Sequence, residues 1–119
     1  MKDHDVIIIG GGPAGVSAAL YAARGGTDVL LLHGGASALH KAELIQNYYG
    51  TGAVSGAALY DNGIAQAEAV GVTVVKTQAT FASYDGADFC VATTDGEYRA
   101  KRLVIATGAA RRSADIPGL

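Results

Sequence analysis

Residues 5–9, Asp5-Val6-Ile7-Ile8-Ile9, run directly into Gly10-Gly11-Gly12-Pro13-Ala14-Gly15 and then into Val16-Ser17-Ala18-Ala19-Leu20-Tyr21-Ala22-Ala23-Arg24. Four successive β-branched residues suit a strand buried on both faces. The glycines after it, Gly10-x-Gly12-x-x-Gly15, fall where a helix can begin, which is the plan of a phosphate-binding turn. Gly10 permits the tight bend, Gly12 lets the backbone approach a diphosphate, and Gly15 lets the helix pack closely on the strand. Pro13 suits the first helical position, because the N–H it lacks would have no partner inside the helix. The N–H groups that open the helix, from Ala14 onward, and its positive dipole end then face the phosphates. The alternative is a tight strand-to-helix connection with no ligand; the strand before the glycines and the helix after them favour the phosphate-binding turn.

The rest of the amino-terminal third follows the same plan. The pattern predicts a helix over residues 14–24, with Val16, Ala19, Leu20 and Ala23 on one face and Gly25-Gly26 ending it. Its alanines let it sit close to a parallel sheet. Residues 28–33 read as a second buried strand, so residues 5–33 form a βαβ unit with a right-handed crossover. Dinucleotide-binding units usually carry an acid at the end of this second strand to hold ribose hydroxyls. Here that position is His33, followed by Gly34. An imidazole can make one bond to a hydroxyl, or His33 can simply meet solvent.

Residues 36–54 show little periodicity and form a long connection for a small domain. A helical turn fits residues 37–44. The amide, ammonium and aromatic groups of Lys41, Gln46, Asn47, Tyr48 and Tyr49 could edge a flat polar ring, or the two tyrosines could plug the core; Lys41 and Glu43 can equally be solvated charges. Ser55 is placed to cap a helix over residues 56–70, with Tyr60, Ile64, Ala67 and Gly71 as a core stripe. Residues 71–75 read as the next parallel strand. Short alternating runs at 77–83, 89–94 and 97–100, separated by Asp85-Gly86 and Asp95-Gly96, predict a three-stranded antiparallel meander. Cys90 falls in its middle strand as a small packed side chain. Residues 101–109 then predict another buried strand, ending in Ala106-Thr107-Gly108, and residues 111–119 a polar exit. The fold class is α/β, a Rossmann-like parallel sheet with helices and an antiparallel meander.

Composition narrows the function. With 9 basic and 11 acidic residues in 119, spread along the chain, there is no basic stripe for nucleic acid. The longest apolar run is far too short to span a bilayer, no secretory signal opens the sequence, and a cytoplasmic location is expected. A single cysteine leaves no disulfide, CxxC pair or cysteine metal cluster within the sequence, so electron transfer would need a bound cofactor. No side chain stands out as a general acid, base or nucleophile, and no metal site is expected.

The glycine turn, the Asn47-Tyr48-Tyr49-Gly50 loop, the meander and the terminal Ala106-Thr107-Gly108 come in an order that resembles the FAD domain of low-molecular-weight thioredoxin reductases and related flavin-dependent pyridine nucleotide-disulfide oxidoreductases. The resemblance runs over nearly the whole chain and implies a partial FAD-binding domain over residues 1–119. It implies that Gly10, Gly12, Pro13, Ala14 and Gly15 hold the FAD diphosphate and that Asn47 lies near the flavin. Thr107-Gly108, with Ala109 beside it, would lie near the phosphates and ribityl chain, and the adenine near Gln78 and Ala79. NAD(P)H would enter only as electron donor to a complete enzyme. The sequence departs from the family in having Tyr49 for a proline, His33 for an acid, and no nicotinamide domain with its CxxC pair or returning Gly-Asp segment. The resemblance therefore implies the FAD-binding part of an NAD(P)H oxidoreductase, completed by self-association or by a complementary polypeptide. A nucleotide-binding module or subunit without catalytic activity is the alternative.

Overall fold

The computed structural model describes residues 2–34, 40, 44–46, 49–50 and 52–107. The elements are β1 (Lys2–Ile9), α1 (Pro13–Arg24), β2 (Val29–His33), α2 (Gly56–Ala69), β3 (Thr73–Lys76), β4 (Ala79–Tyr84), β5 (Phe89–Thr93) and β6 (Gly96–Ile105). All six strands belong to one sheet in the order β3-β2-β1-β6-β5-β4. β3, β2, β1 and β6 run parallel, whereas β4, β5 and β6 pair antiparallel.

The central strands are apolar on both faces because both are covered. Ile8, Val29 and Leu31 are buried against α1 and α2 with Val16, Ala19 and Ala67. Ile7, Leu30 and Leu32 point the other way and are buried with Val91 of β5 and Ala100 of β6. A second layer on that face follows from the connectivity. Only Thr77 and Gln78 separate β3 at one edge of the sheet from β4 at the other, so the sheet curls and lays its antiparallel half over the parallel half.

The third meander strand and the closing strand, expected as separate runs, are one continuous strand, Gly96–Ile105, through which the meander joins the parallel sheet. Lys101-Arg102 does not end the strand, because these residues are exposed while their backbone keeps its register with β1. Arg99 pairs with Asp3 at 3.1 Å and Lys101 with Asp88 at 2.6 Å. The bond to the Asp88 carboxylate, then its charge, holds Lys101 above the ordinary lysine value. The continuous β6 also extends β1 backwards to Lys2, so His4, expected in solvent, is 7% exposed and contacts Asp28 Oδ1 through Nδ1 at 3.2 Å.

Beyond Ala100 the β5 ladder stops, and among the described residues β6 continues against β1 alone. The end of this strand is therefore not buried as expected: Val104 is 37% and Ile105 68% exposed. The strand set over residues 71–75 begins two residues later, since Gly71 takes φ +94° in the turn after α2 and contributes to neither element.

Local signals account for the helices and turns. α1 starts at Pro13 and ends at the Gly25-Gly26 turn, with Gly26 at φ +80°. α2 is capped by Ser55, whose Oγ accepts the Ala58 N–H at 3.1 Å. Ser55→Ala should cost about 1 kcal/mol of unfolding free energy, measured by denaturant titration. In the β4–β5 turn the Asp85 carboxylate accepts from the N–H groups of Asp88 at 2.7 Å and Ala87 at 2.9 Å, which holds it below the ordinary aspartate value. Cys90 lies partly buried in β5. Among the described residues no helix is long and apolar enough to cross a membrane, and no cluster of metal-binding side chains occurs.

Candidate functional site

The carboxyl ends of β1, β2, β3 and β6 meet at one rim of the sheet. Leu32 accepts the Gly10 N–H at 2.8 Å, Ile9 accepts the Ala106 N–H at 2.8 Å, and His33 accepts the Thr77 N–H at 2.9 Å. Open parallel sheets bind nucleotides at such a rim.

The turn after β1 has no spare room. Gly10 takes φ +122°, and a Cβ there would overlap the carbonyl of Ala106 and press on the backbone nitrogen of Thr107 at 3.1 Å. The glycine bend and the end of β6 are thus side by side, brought together by the parallel register Ile9↔Ile105. A Cβ on Gly15 would overlap the carbonyl oxygen of Gly10, so Gly15 allows α1 to begin immediately above the bend. Gly12 is the N-cap in extended conformation, with no side-chain cap, and its carbonyl accepts the Val16 N–H at 3.0 Å. Pro13 occupies the first turn, which carries no acidic residue. The N–H groups of Ala14 and Gly15 and the positive helix end are therefore uncompensated by any side chain of that turn, a setting that favours an anion.

Gly11, the variable position of the motif, is crowded too, by side chains rather than backbone. A Cβ there would lie 2.5 Å from the Tyr60 hydroxyl and 2.6 Å from His33 Cβ. Tyr60, 3% exposed, reaches from α2 to His33 at the end of β2, its hydroxyl 2.9 Å from Nδ1. The His40 ring meets the same tyrosine at a tilt of 57°, with ring centroids 4.7 Å apart. His33 is therefore not a histidine that meets only solvent. Sequence reading takes Tyr60 as core alone, because nothing along the chain links it to a residue 27 positions earlier.

Burial chiefly, then the charge of Lys76, lowers the His33 pKa, with Glu68 opposing. Folding thus favours the neutral ring. Its contribution to stability is complete above the ordinary value of 6.5 and is lost as pH falls through the lowered folded value. Unfolding free energy measured across that window should drop on acidification, and His33→Gln should flatten this part of the profile.

Gly34 is exposed, with open space where a Cβ would stand. Ala79 opens β4 opposite Thr93, just past the link that leaves the rim beside His33. Thr107 is the last described residue of its segment; Asn47, Gly108 and Ala109 lie outside the described residues, as do Lys41, Glu43, Tyr48 and nearly all of the helical turn set over residues 37–44. Tyr49 is 99% exposed and plugs no core. An open cleft of about 630 Å³ starts at Gly11, Gly12 and Pro13 and runs between α1 and α2, past Val16, Leu20 and Gln66. His33, Ala79 and Thr107 lie along the rim and do not line it.

Comparison with known proteins agrees with this geometry. Residues 4–119 match the family described as pyridine nucleotide-disulphide oxidoreductase. The chain is 36% identical to a thioredoxin reductase of Treponema pallidum, aligning 98% of its own length with 39% of that protein. It is 37% identical to the thioredoxin reductase of Aquifex aeolicus, aligning 98% of itself with 38% of that protein. The structure of a thioredoxin reductase from Gloeobacter violaceus superposes with a TM-score of 0.90 at 38% identity, covering 98% of this chain and 38% of that one. The chain thus spans under two fifths of the length of these relatives. It belongs to the pyridine nucleotide-disulphide oxidoreductase family and corresponds to the amino-terminal, FAD-domain part of its thioredoxin-reductase-like members.

Proposed function

We propose that the turn between β1 and α1 holds the diphosphate of FAD, and that the chain serves as the flavin-binding part of an NAD(P)H oxidoreductase of the thioredoxin reductase type. The observation that carries this reading is the contact of Gly10 with the Ala106-Thr107 backbone at the uncapped start of α1. Two strand ends and a helix start converge there, and the atoms nearest a Cβ at Gly10 are all backbone. In this reading Gly10, Gly12, Pro13, Ala14, Gly15 and Thr107 cradle the diphosphate. Gly108 and Ala109 continue that cradle toward the ribityl chain, and the adenosine lies along His33, Gly34 and Ala79. Asn47 belongs to the flavin end by its place in the family motif.

FAD, when bound, supplies two-electron redox chemistry at its ring, with NAD(P)H as the donor in a complete enzyme. The chain's own residues bind and orient it. Disulfide exchange needs a thiol pair, and these 119 residues hold one cysteine. The edge of β6 past Ala100, which no described strand pairs on the β5 side and where Ile105 is exposed, suits a further strand from a complementary polypeptide segment or a second copy. The reducing chemistry of the reductases it resembles fits a cytoplasmic setting.

The test is to incubate the purified chain with FAD, remove the excess and record the absorbance. A retained flavin spectrum, without steady turnover when NADPH and thioredoxin are added, is expected. A colourless chain whose thermal midpoint rises with ADP or NAD would support a nucleotide-binding module instead. No response to any of the three would overturn both readings.

A further inference from the structure

Tyr60 is 3% exposed and carries a hydroxyl from α2 into the rim. A phenylalanine would fill the same space between α2 and the sheet. The hydroxyl nevertheless sits 2.9 Å from His33 Nδ1 and against Gly11, so it joins α2, the end of β2 and the phosphate turn at one point. We propose that Tyr60 is a positioning residue of the nucleotide site, which fixes the His33 ring so that its Nε2 bonds a ribose hydroxyl of a bound adenosine diphosphate. The proposal rests on the nucleotide-binding reading above.

The chemistry is consistent in either tautomer. If the Tyr60 hydroxyl donates to Nδ1, the ring proton is on Nε2, which donates to the ribose oxygen. If Nδ1–H donates to Tyr60, Nε2 accepts from the ribose O–H. A hydroxyl both donates and accepts, so it satisfies both arrangements. Burial and Lys76, which disfavour the imidazolium, keep the ring in this neutral, hydroxyl-matching form, against the opposing charge of Glu68. The position is the one where dinucleotide sites ordinarily carry a ribose-binding acid. An imidazole makes one bond where a carboxylate makes two, and a ring free to turn would seldom present it. Tyr60 removes that freedom by holding Nδ1, and its own ring is in contact with the ring of His40.

The test compares ADP with 2′,3′-dideoxy-ADP by calorimetry at about pH 7.5, using the chain itself, Tyr60→Phe, His33→Ala and His33→Gln. The native chain should bind ADP about five- to tenfold more tightly than the dideoxy analogue, in the upper part of the roughly two- to twelvefold that one hydrogen bond supplies. In Tyr60→Phe and His33→Ala the ratio should fall below about twofold. In His33→Gln, whose amide reaches where Nε2 stands, it should stay above the His33→Ala value. A merely structural loss weakens both ligands alike and leaves the ratio unchanged, so an undiminished ratio in Tyr60→Phe overturns the proposal whatever its stability. Equal binding of both ligands by the native chain also overturns it while leaving the nucleotide-binding reading intact. Failure to bind ADP at all overturns that reading and the proposal together.

Discussion

Replacing Gly10 with alanine should abolish detectable ADP and FAD binding and lower the unfolding free energy by about 3 kcal/mol or more. Two effects combine. The residue has φ +122°, which a side chain resists, and its Cβ would overlap the Ala106 carbonyl. The obstacle is backbone and cannot rotate aside as a flexible side chain would. Relief requires the ends of β1 and β6 to separate, and that opens the cradle at the point where the diphosphate is held. Gly26→Ala provides the comparison: it also has positive φ, at +80°, but a Cβ there meets nothing within 4 Å. It should lose some stability through its backbone conformation and keep its nucleotide affinity. Denaturant titration and calorimetry on the pair separate strain from loss of the site.

Leu31→Ala should cost about 2–5 kcal/mol, a large part of the stability of an ordinary domain. Leu31 is fully buried in β2 between Ile8, Val29 and the helix layer. Its removal leaves a cavity that flanking strands, held in register on both sides, cannot close. The rim residues are untouched, so the fraction of molecules that fold should bind ADP with native affinity. Saturating ADP at about a hundred times its dissociation constant should then restore roughly 2.7 kcal/mol. The same ADP should restore nothing to Gly10→Ala. The contrast distinguishes a lesion of the scaffold from a lesion of the site.

The parallel half of the fold is legible because its signals are local. Val6 to Ile9 and Val29 to Leu32 are apolar on both faces, Ser55 caps, Gly25-Gly26 stops a helix, and Asp-Gly pairs make turns. What remained hidden depends on contacts between distant segments. The charges of Lys101 and Arg102 interrupt the apolar pattern of β6, yet the strand continues because β1 supplies a partner along its length. His4 looks like a polar lead-in, and only that same pairing draws it under cover beside Asp28. The curl of the sheet follows from a two-residue link whose shortness matters only once the strand order is known. At the site, Gly10 and Gly15 are readable from the motif, whereas the need for glycine at Gly11 comes from Tyr60 and His33. The end of β2 is tied to the turn by the βαβ plan, which marks His33, but no spacing rule connects Tyr60 to either.

A diphosphate held at the glycine turn should perturb the backbone amides of that turn first. Titrating the ¹⁵N-labelled chain with ADP and following its amide resonances tests this directly. The expected result is saturable shifts concentrated at Gly10, Gly11, Gly12, Ala14, Gly15 and Thr107, with His33 and Gly34 moving alongside. Shifts confined to Val16, Leu20 and Gln66 in the cleft between the helices, with the glycine turn still, would contradict it.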